Sequence, residues 1–262
     1  MNDDERYLFD LNGYLLIKSV LTVEEVAECN AAIDHHIDEL TEYPRTLAGG
    51  SKALSGTEHR HDLGGMLSWE EPWCDPFRRL LAHPNIFPYL NAVLGEGYRL
   101  DHGPSLIAQN KGAEGGTLHH GGANAPDFSL SYFYKNGRIF TGLSVVEYML
   151  ADEGPGDGGV AVIPASHKAN LDCPQEIRQW EAHREHVREI NAEAGDAVIF
   201  TEALTHGTLP WTADHQRRAL LYKFSPGILA FSGGAHNIEY ADFIEKMEPE
   251  HRAVMEAPHY RR

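Results

Sequence analysis

The chain has 262 residues, of which 42% are hydrophobic and 23% charged, and its formal net charge is −17. This composition predicts a soluble globular protein with a substantial core, and the acidic charge excludes nucleic acid as a partner because phosphate backbones are bound by basic patches. No apolar run reaches the ~18 residues of a membrane span, so we expect no membrane contact. Cys29, Cys74 and Cys173 are widely spaced and fit a reducing, cytoplasmic location rather than a disulfide framework or a CxxC site.

The first part of the chain, residues 1–97, predicts a mainly helical layer within one domain that spans residues 1–262. Thr22 and Glu25 have the spacing of a capping box, which predicts the start of a helix with one apolar stripe. The other elements predicted here are a buried strand at residues 13–17, a long loop at 44–65, and short helices at 75–83 and 85–94.

From residue 98 onward the chain changes to short apolar segments separated by turn residues such as Asn136-Gly137. Many short strands behind a helical layer predict a mainly β fold, a jelly roll over residues 98–226 with a helical tail over 227–262. Strands are predicted at 98–109, 139–150, 160–163, 187–190, 197–201 and 218–224, and helical segments at 174–182 and 242–255.

Two adjacent histidines, His119 and His120, lie between two glycine pairs in residues 115–122. Neutral imidazole is the commonest side-chain metal ligand, and glycine lets the backbone approach a ligand closely. An iron site of two histidines and one carboxylate would need Asp or Glu two residues after the first histidine. That position is Gly121 or Gly122, so the carboxylate is missing in either register. A glycine-rich surface loop with two solvated histidines is the alternative interpretation.

The second half of such a site is expected late in the strand series. His206 follows the predicted strand 197–201, and Arg217 opens the next strand. A guanidinium fork suits the distal carboxylate of a dicarboxylate cosubstrate, with Arg218 as the alternative if the register differs by one residue. Considered alone, His206 would be interpreted as a turn histidine and Arg217 as a surface charge. Their occurrence together favours a functional site.

Four parts of the chain carry a family resemblance: DLNGY at 10–14, LHHG at 118–121, GDGGVAVIPASHK at 156–168, and His206-Gly207 with RRAL at 217–220. Together they resemble the phytanoyl-CoA dioxygenase family of iron(II)/2-oxoglutarate oxygenases over residues 13–226. By this resemblance His119 is the proximal iron ligand, His206 the distal one, and Arg217 the partner of 2-oxoglutarate. Ser166 and His167 are expected to be structural.

The resemblance implies a double-stranded β-helix, a cupin-like jelly roll backed by N-terminal helices. It also implies an enzyme that uses Fe(II), 2-oxoglutarate and molecular oxygen to oxidise an unactivated C–H bond of a small molecule. Gly121 stands where the family has Asp, as in the aliphatic halogenases of this fold, so the vacant ligand position suggests halogenation with chloride or bromide. The alternatives are a hydroxylase in which Asp127 or Glu202 supplies the carboxylate, a site with His120 as an extra ligand, and a non-catalytic binding domain that keeps the pocket.

Overall fold

A computed structural model describes residues 1–120, 130–231, 241–249 and 251–258. Within them, thirteen strands form a seven-stranded sheet, a four-stranded sheet and a separate hairpin. All ladders between the named strands are antiparallel, and the order is β1-β11-β8-β13-β4-β3-β2 in the large sheet and β10-β9-β12-β5 in the small one. The two sheets pack face to face as a jelly roll, so the predicted fold class is confirmed.

The bounds of the elements show how short most of them are. The helices are α1 (Asp3–Asn12), α2 (Val23–His35), α3 (Asp75–Leu80), α4 (Phe87–Leu94), α5 (Gln175–Arg178) and α6 (Ala241–Lys246). The strands are β1 (Tyr14–Ile17), β2 (Thr41–Glu42), β3 (His61–Leu63), β4 (Arg99–Gln109), β5 (Gly116–His119), β6 (Tyr132–Lys135), β7 (Arg138–Thr141), β8 (Ser144–Met149), β9 (Gly159–Val162), β10 (Arg188–Glu189), β11 (Ala197–Thr201), β12 (His206–Leu209) and β13 (Arg217–Ser225).

Side chains alternate between the two faces of the large sheet. One face packs against α2, α3 and α4, as Leu220 and Tyr222 of β13 do in the main core cluster. The other face looks into the space between the sheets, where Val145, Val162 and Phe200 form a second apolar cluster. The interior of the jelly roll is therefore apolar over much of its length, and any charged side chain that points into it needs a partner.

The helix predicted after Thr22 has the expected capping box, in which Thr22 accepts from the Glu25 backbone N–H and Glu25 accepts from the Thr22 N–H. The predicted loop 44–65 is wrong at its end, because His61–Leu63 pairs with β4 at the edge of the large sheet. The predicted strand 139–150 is two strands, β7 in the hairpin and β8 in the large sheet, and the predicted C-terminal helix 242–255 stops at Lys246.

In the part of the chain that the structure describes, no helix combines the length and the apolar character needed to cross a lipid bilayer.

Candidate metal centre

Two histidines meet across neighbouring strands at one end of the small sheet. His206 begins β12, His119 ends β5, and the antiparallel ladder places them directly opposite each other. Their ring centroids are 4.3 Å apart, and the His120 ring centroid lies 4.6 Å from that of His119. The two histidines that the sequence singles out as ligands are thus brought together by cross-strand pairing, because directly opposed residues share a face.

A carboxylate joins these rings from the turn between β11 and β12. Glu202 is fully buried, and its Oε2 lies 2.6 Å from His120 Nδ1 and 3.7 Å from His206 Nε2. The side chains of His119, His120, Glu202 and His206 each offer a ligand atom, and these atoms all lie within 4.8 Å of one another. We call these four residues the His–Glu cluster.

Backbone carbonyls orient two of the rings in the same way. His206 Nδ1 lies 2.8 Å from the carbonyl oxygen of Leu204, and His119 Nδ1 lies 3.3 Å from that of Thr117. A carbonyl can only accept, so each Nδ1 carries the proton and each Nε2 keeps its lone pair. Metal-binding histidines are oriented by such bonds.

The short contact between Glu202 and His120 lacks hydrogen-bond geometry. Glu202 Oε2 and His120 Nδ1 are both buried, and neither atom has a hydrogen-bond partner among the described residues. Buried polar atoms without partners are costly and rare in folded proteins. Two such atoms side by side, next to free imidazole nitrogens, fit a bound cation that both would contact.

The electrostatics of the cluster set its protonation state. His119 is exposed at the rim, but the loss of hydration among its neighbours, together with the nearby His206 and His120, lowers its pKa to about 3. Burial also lowers the pKa of His206, although Glu202 opposes that change. Burial alone would raise the pKa of Glu202, but His206, His120 and Lys223 outweigh it and hold that pKa well below 4.5. Near neutral pH, His119 and His206 are therefore neutral and Glu202 is an anion, the forms that bind metal.

The backbone at His120 is held in an unusual conformation. Its φ is +58°, in the left-handed region that residues other than glycine rarely adopt, and Thr205 Oγ1 donates to its carbonyl oxygen at 3.2 Å. Such conformations persist where the surroundings impose them, and they are frequent at functional sites.

Arg217 points into the jelly roll, where its guanidinium is already hydrogen-bonded to other side chains. Its Nε donates to Glu153 at 2.7 Å, one terminal nitrogen to Glu147 at 2.6 Å, and the other to Gln109 at 3.2 Å. All these side chains are buried. Burial raises the pKa of both carboxyl groups although Arg217 opposes the rise. The nearby charge of Glu147 adds to the rise at Glu153, whose pKa reaches about 7.

Arg218 lies on the opposite face of β13. It bonds Asn30 and Asp34 of α2 at 2.9 Å and 2.6 Å, outside the space between the sheets. Of the two candidates for the cosubstrate carboxylate, Arg217 is therefore the one on the inner face. Gly121, the predicted vacant ligand position, and Asp127, one of the alternative carboxylates, lie outside the described residues.

His167 is buried and structural in its contacts, as expected. Its Nε2 lies 3.0 Å from the Asp10 carbonyl oxygen, and the Tyr132 ring meets it edge-on at 4.6 Å. Asp10 in turn accepts from Tyr132 and Lys168, so this group ties α1 to the hairpin.

Lys223 is a member of the site that sequence reasoning missed. Its Nζ donates to Glu202 Oε1 at 2.6 Å, on the side of the carboxylate away from the imidazoles. The alternation of side chains along β13 could have identified Lys223, because it places this residue on the same face of the strand as Arg217.

An antiparallel jelly roll with imidazoles and a carboxylate gathered at one end has the architecture of a cupin-like metal protein. The chain belongs to the phytanoyl-CoA dioxygenase (PhyH) family, whose model matches residues 9–219. The resemblance drawn from the sequence motifs is thereby confirmed. A search among curated proteins found no match.

Solved structures similar to this chain share its fold at low sequence identity. HygX from Streptomyces hygroscopicus, solved with nickel and 2-oxoglutarate bound, is 19% identical, with 88% of this chain and 89% of that chain covered and a TM-score of 0.70. The carbocyclase SnoK from nogalamycin biosynthesis is 14% identical, with 100% and 94% covered and a TM-score of 0.63. The epimerase SnoN from the same biosynthesis is 20% identical, with 88% and 87% covered and a TM-score of 0.60.

Proposed function

We propose that this protein is an iron(II)/2-oxoglutarate-dependent enzyme that oxidises a small molecule. The observation that carries the proposal is the His–Glu cluster, in which His119 from one strand and Glu202 and His206 from the turn into another lie within 4.8 Å of one another. Two histidines and one carboxylate with open positions are the donor set of non-haem iron(II) oxygenases. Family membership and the 2-oxoglutarate bound in HygX support the same cofactor pair.

The chain's own residues fit the metal. Nε2 of His119 and Nε2 of His206 are left free by the carbonyl contacts at Nδ1, and Glu202 is anionic. Bound iron with a 2-oxo acid would supply the oxygen-dependent chemistry, while the protein binds and orients the reactants and excludes water. His120 is then either a fourth donor or a neighbour that orients Glu202, and we expect its loss to cost less than the loss of His119.

Glu202 changes the interpretation of the missing acid at Gly121. Halogenation requires that a halide take the place of the carboxylate on iron. In this protein a buried carboxylate from another segment stands beside His120 and His206. We therefore favour oxygen transfer, as in a hydroxylase, over halogenation.

For the distal carboxylate of 2-oxoglutarate we propose Arg217, the guanidinium on the inner face. The cosubstrate would have to share Arg217 with Glu147, whose carboxylate lies 2.6 Å from it. A raised pKa makes Glu147 easier to protonate, which reduces the repulsion between the two carboxylates.

The substrate is proposed to enter beside Thr205. A cavity of about 690 Å³ includes this residue, which contacts the His120 carbonyl, together with Ile163, Ser166 and Arg188. This volume is in the range of small-molecule sites. A larger cavity of about 800 Å³ lies beside α4 and the hairpin. No residue of the His–Glu cluster lines either cavity, and the smaller one is favoured because its residue Thr205 bonds the His120 carbonyl.

The experiment is an anaerobic titration with iron(II) and 2-oxoglutarate, with and without chloride, in which the metal-to-ligand charge-transfer band is followed. We expect a band insensitive to chloride in the wild type, and at least about a tenfold loss of iron affinity in Glu202→Gln. Glu114→Gln is the matched control, because Glu114 is also a buried partner of a histidine, His59, at 2.7 Å.

Each other result points to a different function. A chloride-dependent band would favour the halogenase interpretation, and no band in the wild type would favour the non-catalytic binding domain. An unchanged band in Glu202→Gln would remove Glu202 from the metal.

A further inference from the structure

The two oxygens of Glu202 have different neighbours. Oε2 faces His120 and His206, whereas Oε1 accepts a hydrogen bond from Lys223 Nζ at 2.6 Å. Glu202 itself is fully buried, and about 29% of the Lys223 side chain is exposed. The carboxylate is thus divided between an ammonium on one side and the candidate metal position on the other.

β13 presents Lys223 next to an irregular stretch of its neighbour β4. The pairing of β13 with β4 shifts register between Leu221 and Lys223 and again between Lys223 and Phe224. The pairing with β8 on the other side stays in step through the same residues. The extra residues therefore lie in β4, and β13 itself stays regular through Lys223. Its regular alternation places the Lys223 side chain on the same inner face as Arg217.

A carboxylate can bind a metal through one oxygen or through two. A charge-assisted hydrogen bond to one oxygen favours the one-oxygen mode, because that oxygen is already paired. The number of carboxylate oxygens on the metal matters here, because a 2-oxo acid that chelates the metal needs two open coordination positions. A carboxylate that used both oxygens would take one more position away from the cosubstrate.

We propose that Lys223 is a positioning residue that keeps Glu202 a one-oxygen ligand and so preserves a coordination position for the cosubstrate. This inference rests on the proposed function. Lys223 is a cation beside a metal cation, so its charge weakens metal binding rather than strengthening it. Its removal should therefore leave metal affinity intact while cosubstrate binding falls, a separation that a merely structural lysine would not produce.

The test uses cobalt(II) as the metal probe, with visible absorption for the metal and calorimetry for 2-oxoglutarate binding to the cobalt-loaded protein. In Lys223→Met we expect cobalt affinity equal to or above wild type, and a Kd for 2-oxoglutarate raised by about tenfold or more. Lys223→Arg keeps a charged donor and should restore most of the cosubstrate affinity. Lys18→Met is the matched control, because Lys18 also donates to a buried carboxylate, Asp196, at 2.6 Å.

Three results overturn the inference. They are unchanged 2-oxoglutarate affinity in Lys223→Met, loss of cobalt and 2-oxoglutarate binding together, and an equal loss in Lys18→Met. If Lys223→Met does not fold, Lys223→Gln removes the charge, keeps a polar side chain and is subject to the same prediction. A wild type that binds no cobalt overturns the proposed function as well, whereas normal wild-type binding with an unaffected Lys223→Met overturns this inference alone.

Discussion

The substitution Glu153→Gln should change how the stability of this protein depends on pH. Glu153 and Glu147 share one cation, Arg217, and all three side chains are almost completely buried. Burial raises the pKa of Glu153 to about 7, and the nearby charge of Glu147 adds to the rise although Arg217 opposes it. A carboxyl group whose pKa is higher in the folded state binds its proton more tightly there.

The sign and size follow from linkage. Below the ordinary value of 4.5, Glu153 is protonated in both states and makes no difference to the pH dependence. Between about 4.5 and about 7 the folded state holds the proton that the unfolded state has lost, so stability falls as pH rises. At ~1.4 kcal/mol per pH unit, the loss that Glu153 causes reaches about 3 kcal/mol above pH 7.

The assay is denaturant unfolding of wild type and Glu153→Gln between pH 5 and pH 8. We expect the wild type to lose stability across this interval and the variant to lose less, by up to about 3 kcal/mol at pH 8. Glu185→Gln is the control, because Glu185 is exposed and its pKa is lowered rather than raised. Wild-type and Glu153→Gln curves that run parallel from pH 5 to pH 8 would show that Glu153 does not hold its proton more tightly in the folded state.

Three further substitutions, two of them with a control substitution, test contributions to the stability of the fold. Arg217→Met leaves two buried carboxylates without their cation and should lower the free energy of unfolding by about 3–5 kcal/mol. Arg218→Met is the control and should lower it by at most about 1 kcal/mol. Equal losses in denaturant unfolding would contradict this ranking. Gly13→Ala should cost at least about 1 kcal/mol in thermal unfolding, because φ is +83° and a Cβ would lie 2.6 Å from His167 Nδ1. Gly64→Ala, with no atom within 4 Å, should be nearly neutral. Thr22→Ala should lower stability by about 1 kcal/mol through loss of the cap, and an unchanged melting temperature would argue against that role.

The sequence identifies the two candidate ligand histidines, but it does not identify the elements that carry them. His119 and His206 stand out because a single sequence shows the residue type and the motif around it. The strands β5 and β12 have four residues each, and His206 is followed directly by Gly207, so neither has a periodicity that identifies it as a strand. Their pairing, which places His119 opposite His206, is a long-range register that depends on the whole sheet.

Glu202 is one of the two carboxylates that the sequence offers as a substitute ligand, and its position beside the histidines depends on a turn. Leu204 N–H donates to the Thr201 carbonyl oxygen, and Ala203 N–H donates to Thr201 Oγ1. This turn brings Glu202 and His206, four residues apart, to the same place. Sequence spacing alone does not show such a turn.

The partners of Arg217 were missed because a buried charge network is not a sequence motif. Glu147 lies in the middle of an apolar strand, Ser144–Met149, whose residues are all buried. An acid in such a strand requires a cation, and this requirement was the available signal. It predicts that a partner exists, but only the three-dimensional structure identifies that partner as Arg217.

The decisive measurement is a crystal structure of the anaerobic protein with iron(II) and 2-oxoglutarate, with the iron located by anomalous scattering. We expect iron bound to Nε2 of His119, to Nε2 of His206 and to one oxygen of Glu202, with Lys223 still on the other oxygen. Iron held by the histidines without Glu202, with chloride or water in the carboxylate's place, would contradict this ligand set.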